Sequence, residues 1–350
     1  MSKKKIIGVE APLEDYSPVV YKSLMRVIKK GDMSCKLFRI RKKNKARRAR
    51  FNKFTLYSAD HVKKLDLLVV FSPYATSHNA IKICRNSRTP LLYLESGFLP
   101  KSILCDIKGF WGDSDLCSNM GDELRKISED DCVSWSNEYR KHLTSNNSSK
   151  RKQPDGHPSI NEPFVFLPMQ YMDDQSVLRF GNVTYGRFMK LVARFCHENK
   201  IRLIIKKHPH AYRKEKKPVN NLIKILSKKF KNTITVSDGS IHWFCQNCIF
   251  MAGMNTGAIV DGLINKTIIT HCGQSIFMNS GAVIHDDDVE RGLGRAFEIS
   301  KDRSQFDKIE MCQSKLLYYL YNNYLLLEDE PFSSVKTNEE KIRNQINKVI

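Results

Sequence analysis

Short apolar runs alternate along this chain with longer stretches whose apolar positions recur every three or four residues, the spacing expected of strands interleaved with amphipathic helices. Residues 5–9 predict a first strand, and residues 16–29 a helix with Val19, Val20, Leu24, Val27 and Ile28 on one face. Residues 34–38 read as a second strand. The nearly unbroken apolar run at residues 66–71 has the character of a parallel strand covered on both faces, and a helix is expected over 75–84. A strand at 91–94 then delivers Glu95-Ser96-Gly97-Phe98 to its carboxyl end.

The second half repeats the alternation. A strand at 165–167 runs into a polar cluster from Gln170 to Ser176, a helix spans 183–198, and a strand at 201–205 ends in Lys206-Lys207-His208-Pro209-His210. Further on come a helix at 221–230, a strand at 233–236, a short helix from Ile241 and a strand at 248–252 that leads to Asn255-Thr256-Gly257. A helix at 258–264, a strand at 266–270 and helical segments at 309–327 and 339–350 complete the pattern. Residues 144–163, rich in Asn, Ser, Lys, Pro and Gly, read as an interdomain linker.

The expected fold class is therefore α/β with two Rossmann-like domains: residues 1–150, residues 164–310, and C-terminal helices over 311–350 that pack back across the domains. A length of 350 residues suits two cores. In open parallel sheets, ligands bind outside the carboxyl ends of the strands. That makes the polar clusters at the strand exits the candidate site.

Composition narrows the chemistry. With 41% hydrophobic residues a packed core is expected, and the net charge of +21 calls for an anionic partner. The densest basic run, Arg39 to Lys53, suits RNA or an anionic bilayer, although most such runs are solvated, and its thin aromatic content disfavours a single-stranded nucleic-acid platform. No apolar run reaches the ~18 residues of a membrane span and the N-terminus lacks a signal-peptide core, so a cytoplasmic protein is expected. The ten cysteines read as reduced thiols. Cys245 and Cys248 form a CxxC after His242, but no second ligand pair follows at matching spacing, so no metal is expected. No GxGxxG or P-loop occurs, and no cofactor is expected. The Asn255-Thr256-Gly257 turn before a helix suits a phosphate, or serves only as a helix cap.

Taken in order, Glu95-Ser96-Gly97-Phe98, Gln170 to Ser176, His208-Pro209, Asn255 to Leu263 and Gly273 resemble the capsule-polysaccharide synthesis family, over about residues 65–285. Asp261-Gly262 stands where that family usually has Glu-Ala, and Thr256-Gly257 where it has Ser-Thr. The resemblance implies a GT-B fold, an acceptor-binding first domain and a nucleotide-sugar-binding second one, and retaining transfer of a Kdo-like acidic sugar from a CMP-activated donor to an anionic glycan or glycolipid. It also implies Asp174 as nucleophile, beside Asp173, with Gln170 and Ser176 orienting it or the donor; Glu95 is assigned as base, and Lys206, Lys207, His208, Asn255, Thr256 and Gly257 are expected as donor ligands, the alternative being that Asp173 and Asp174 only cap the following helix. Peripheral contact with the inner face of an anionic membrane through Arg39 to Lys53 is a further expectation, and specific nucleic acid is not expected. The competing readings are a transferase using a CDP-alcohol or another nucleotide sugar, and a basic nucleic-acid-binding protein.

Overall fold

A computed structural model describes residues 4–10, 12–39, 55–56, 62–71, 78–150, 152–156, 158–208, 216–329 and 332–350. Apart from Arg39, the basic run 39–53 lies outside the described residues, as do Pro209 and His210.

The chain forms two compact units, residues 1–110 with 320–350 and residues 111–319. The first is built on strands β1 (Ile6–Glu10), β2 (Ser34–Arg39), β3 (Thr55–Leu56), β4 (Leu67–Phe71), β5 (Leu91–Ser96) and β6 (Ser102–Asp106). Strands β3, β2, β1, β4 and β5 lie side by side and parallel, β6 runs antiparallel beside β5, and Leu326–Leu327 runs antiparallel at the edge beyond it. Every residue of β4 is buried, as its unbroken apolar sequence requires. Helix Pro18–Lys30 starts on a proline, whose missing N–H costs nothing there, and buries Val20, Leu24, Val27 and Ile28.

In the second unit β7 (Phe164–Pro168), β8 (Arg202–Lys206), β9 (Ile234–Val236), β10 (Phe250–Met254), β11 (Ile269–Cys272) and β12 (Ile284–His285) form a wholly parallel sheet in the spatial order β9, β8, β7, β10, β11, β12. That is the Rossmann order, with the direction of winding reversed between β7 and β10. Thr184 caps helix Tyr185–Glu198, which buries Tyr185, Phe188, Met189, Val192, Ala193 and Cys196 at helical spacing against the sheet.

The units divide at 110/111 and 319/320, where the sequence pattern placed the boundary at 145–163. Helices Leu116–Arg125 and Glu129–Ser145 belong to the second unit, because Arg140, buried on the second of them, donates to Leu263 O (3.3 Å) and to Ser314 Oγ (3.0 Å). The expected linker is partly docked as well: His242 meets Ser148 O at 2.9 Å, Ile241 N donates to Gln153 Oε1 at 3.1 Å, and Ser149 is buried. The helix expected at 309–327 spans only Asp307–Tyr319. Its continuation is a π turn, Leu320–Tyr324, and then the edge strand of the first unit. Buried Lys341 holds that turn by donating to Tyr321 O (2.7 Å) and Leu325 O (2.9 Å).

Candidate active site

The reversal between β7 and β10 opens a crevice at their carboxyl ends, and one fully buried residue, Asn255, ties the two strand exits together. Its main-chain oxygen accepts from Gln170 Nε2 (3.2 Å) and Ser176 Oγ (3.1 Å), while its Nδ2 donates to Ser176 O (2.8 Å). Asn255 holds a left-handed backbone, φ 43°, which asparagine tolerates better than most residues. Gly273, at φ 98°, lies so close that a Cβ there would sit 2.7 Å from Asn255 Nδ2. Gln170 is itself fixed, because its N–H donates to the Tyr185 hydroxyl (2.8 Å) and its Oε1 accepts from Tyr171 N (2.9 Å).

This lock fixes Asp174. The residue is the N-cap of helix Gln175–Phe180, with Oδ1 accepting from Ser176 N (2.8 Å) and Ser176 Oγ (2.6 Å). Among the described residues its Oδ2 takes no hydrogen bond. Asp174 is therefore a helix cap that also leaves one carboxylate oxygen uncommitted. The two acids do not ride an extended strand end. β7 stops at Pro168, the chain turns, Asp173 is exposed and Asp174 is half-buried, because a short carboxylate bonds the free N–H groups of a helix start.

Behind Asn255 lie two histidines that pattern reading missed. Since Asn255 Nδ2 is committed to Ser176 O, its Oδ1 faces His271 Nε2 (3.2 Å), which must carry the proton. His271 Nδ1 then accepts from His285 Nδ1 at 3.2 Å, and Ser275 Oγ lies 3.3 Å from Nε2. Burial first, and the neighbouring His285 second, push the His271 pKa down to about 3, so the ring stays neutral. The expected strand ended one residue before His271, and a histidine closing an otherwise apolar strand was the available signal.

At the exit of β8, the Tyr171 and His208 rings meet with centroids 4.4 Å apart, which joins this exit to that of β7. Lys206 donates to Gly239 O (2.6 Å) and Lys207 to Asn220 Oδ1 (2.8 Å). Burial lowers the Lys206 pKa, against the opposing pull of Asp238 and Asp261. Asp261, on helix Ala258–Ile264, is pushed up to about 6 by burial, with Ser149, His242, Lys150 and Lys206 favouring its charged form. His242 is occupied by Ser148 O and by Asn265 Nδ2 (2.9 Å). Both Asn255 and Thr256 are buried, and Thr256 Oγ1 accepts from Ala258 N (3.3 Å), so these side chains build the turn. At Gly257, by contrast, a Cβ would meet only open space.

In the first unit Glu95 lies within β5, paired opposite Leu104, and accepts a bond from Ser96 N (2.9 Å). The sequence had placed it in an exit loop; the hairpin with β6 carries the strand two residues further. Gly97 allows that hairpin, since a Cβ would fall 2.1 Å from Ser102 Oγ. Pattern reading also missed Glu10, a buried acid ending β1 whose Oε2 accepts from Phe71 N (2.7 Å). An acid directly after the apolar residues of a first strand was its signal.

The residues of the β7-to-β12 edge lie inside a recognisable sequence signature. Residues 150–290 match the model of the capsule polysaccharide biosynthesis protein family. The match falls within the second unit and contains the Asp174, Asn255 and His271 network. The fold agrees with it. The β-Kdo 2,4-transferase KpsC of Thermosulfurimonas dismutans superposes with a TM-score of 0.57 at 15% identity, over 89% of this chain and 90% of that one. The β-Kdo 2,7-transferase of the same KpsC gives 0.50 at 15% identity, over 83% and 85%. Two Rossmann-like units of this kind are the GT-B class. No protein of curated function matches the sequence.

Proposed function

We propose that this chain is a glycosyltransferase that moves an acidic, Kdo-like sugar from a CMP-activated donor to a glycan or glycolipid acceptor. The observation that carries this reading is Asp174, one carboxylate oxygen fixed by Ser176 and the other uncommitted, at the crevice of a Rossmann sheet whose sequence matches the capsule-synthesis family. The family match and the KpsC fold support the choice of chemistry.

In the proposed reaction, Asp174 Oδ2 attacks the anomeric carbon as its bond to the CMP phosphate breaks, and CMP departs with the electron pair. The Ser176 N–H and hydroxyl hold Oδ1, so the carboxylate does not rotate away. A general base takes the proton of the acceptor hydroxyl, whose oxygen displaces Asp174 from the same carbon. Two inversions give net retention. Lys206 and Lys207 at the β8 exit supply positive charge for the donor, His208 offers a ring N–H there, and the Gly257 backbone offers close approach at the β10 exit. Asn255, Thr256 and Gln170 support these groups without touching the donor themselves.

The test is mass spectrometry of protein incubated with CMP-sugars in the absence of acceptor. A sugar-sized adduct on Asp174, absent from Asp174→Asn, is expected, together with retention in the product. Full activity in Asp174→Asn, or turnover of CDP-alcohols in place of CMP-sugars, would overturn the assignment.

A further inference from the structure

Helix Lys216–Lys229 turns Val219, Ile223 and Leu226 into the core, with Phe230 buried just past its end. That places Lys224, Ile225, Lys228 and Lys229 on one exposed stripe. From Lys216 to Ser237 the chain carries six lysines and no Asp or Glu. The outward Lys224, Lys228, Lys229 and Lys231 enter no ion pair among the described residues, although Lys229 leans over the Phe230 ring at 5.7 Å. Where the helix ends, Lys200 and Lys231 help to line a hollow of about 280 Å³, together with His197, Thr233 and Arg202, the last already paired with Glu162 at 2.8 Å.

Within this uncompensated positive face Ile225 is 61% exposed. Single exposed apolar side chains are ordinary; what sets Ile225 apart is its place among lysines that form no ion pair among the described residues. A hydrated polyanion would engage the lysines but gain nothing from the apolar side chain. An anionic bilayer engages both, with phosphates over the ammonium groups and the isoleucine in the headgroup boundary. Protection of a sheet edge does not account for the lysines either: the edge strand β9 is Ile-Thr-Val, without charge, and the lysines sit on the helix. The stripe follows a helix ~21 Å long, enough to span several headgroups.

We propose that this face, centred on Ile225 and Lys224, Lys228 and Lys229, rests on the anionic phospholipid surface of a membrane. The contact is separate from the basic run 39–53 and does not depend on the transferase reading.

The experiment measures co-sedimentation of the full chain with phosphatidylglycerol-containing and pure phosphatidylcholine vesicles, with no donor present. Three proteins are compared with the parent: the triple variant Lys224→Glu, Lys228→Glu, Lys229→Glu; the single variant Ile225→Ser; and a control triple variant in the basic run, Arg47→Ser, Arg48→Ser, Arg50→Ser. Thermal melting confirms that all are folded. Binding to anionic vesicles only is expected, weakened at least about ten-fold by the helix triple variant and about three-fold by Ile225→Ser, the latter loss persisting at high salt. Unchanged vesicle binding in the helix triple variant overturns the proposal, as does loss confined to the control. Heparin binding that needs the lysines, alongside vesicle binding indifferent to Ile225, would make the partner a soluble polyanion and overturn it too.

Discussion

At the scale of single residues, the candidate site is held by a chain of buried groups behind Asp174. His271 donates to Asn255, Asn255 fixes Ser176, and Ser176 holds Asp174. Because the folded His271 binds a proton only near pH 3, while its ordinary pKa is 6.5, the unfolded chain takes up more protons between those values. The stability this gives is complete above about pH 6.5 and lost as the pH falls toward 3. Asp261 acts in the opposite sense. Raised from 3.8 to about 6, it favours the fold at low pH, and that contribution disappears as the pH rises through 6. His271→Gln, which keeps a donor toward Asn255 and removes the titration, should flatten the acid limb of a stability-against-pH curve from denaturant unfolding, whereas Asp261→Asn should steepen it. For the proposed transfer, His208→Ala should raise donor KM about ten-fold or more at unchanged thermal stability, measured by steady-state kinetics; an unchanged KM would leave the Tyr171 ring as the partner that explains His208.

At the scale of elements, close approaches explain residues that look interchangeable in sequence. Gly262 stands where the resembling family usually has alanine, and here a Cβ would lie 2.8 Å from Ile269 Cδ1 and 2.9 Å from Met251 Cε. Those two side chains fill the space an alanine methyl would occupy. Gly262→Ala should therefore cost about 1–3 kcal/mol in chemical denaturation, and less when paired with Ile269→Val. Arg140 is a buried cation whose bonds go to a carbonyl and to neutral side chains, with Nη2 lacking a partner among the described residues, and burial lowers its pKa to about 10. Its ionic character adds little to the fold, while its length fills space and closes the end of helix Ala258–Ile264. Arg140→Met should be within about 1 kcal/mol of the parent, and Arg140→Ala should lose about 2–4 kcal/mol.

At the scale of the molecule, the units are not the two halves of the chain. A fragment of residues 111–319 should unfold cooperatively by circular dichroism, whereas residues 151–350 should not, since they lack the helices bearing Trp135, Tyr139 and Arg140 and retain an edge strand whose sheet is missing. Most of the parallel strands were legible from pattern alone, whereas β6, the short β3 and β12, and the edge strand Leu326–Leu327 were not. Runs such as residues 66–71 and 164–168 must be buried on both faces, and a helix between two of them gives a parallel sheet with its polar exits on one edge. That reasoning placed Asp174, His208 and the Asn255 turn just past strand ends, because strand-exit position is a local property. Which of them point outward was not local. Asn255 and Thr256 are buried because β7 and β10 become neighbours across a long stretch of sequence, and His271 became part of the network only when β11 was laid beside β10. The sequence by itself determined the alternation of elements and the chemical character of each strand end, since both follow from side-chain periodicity. Only the tertiary structure decided the unit boundaries and the division between residues that hold the site and residues that face it, because both depend on contacts between segments far apart in the chain.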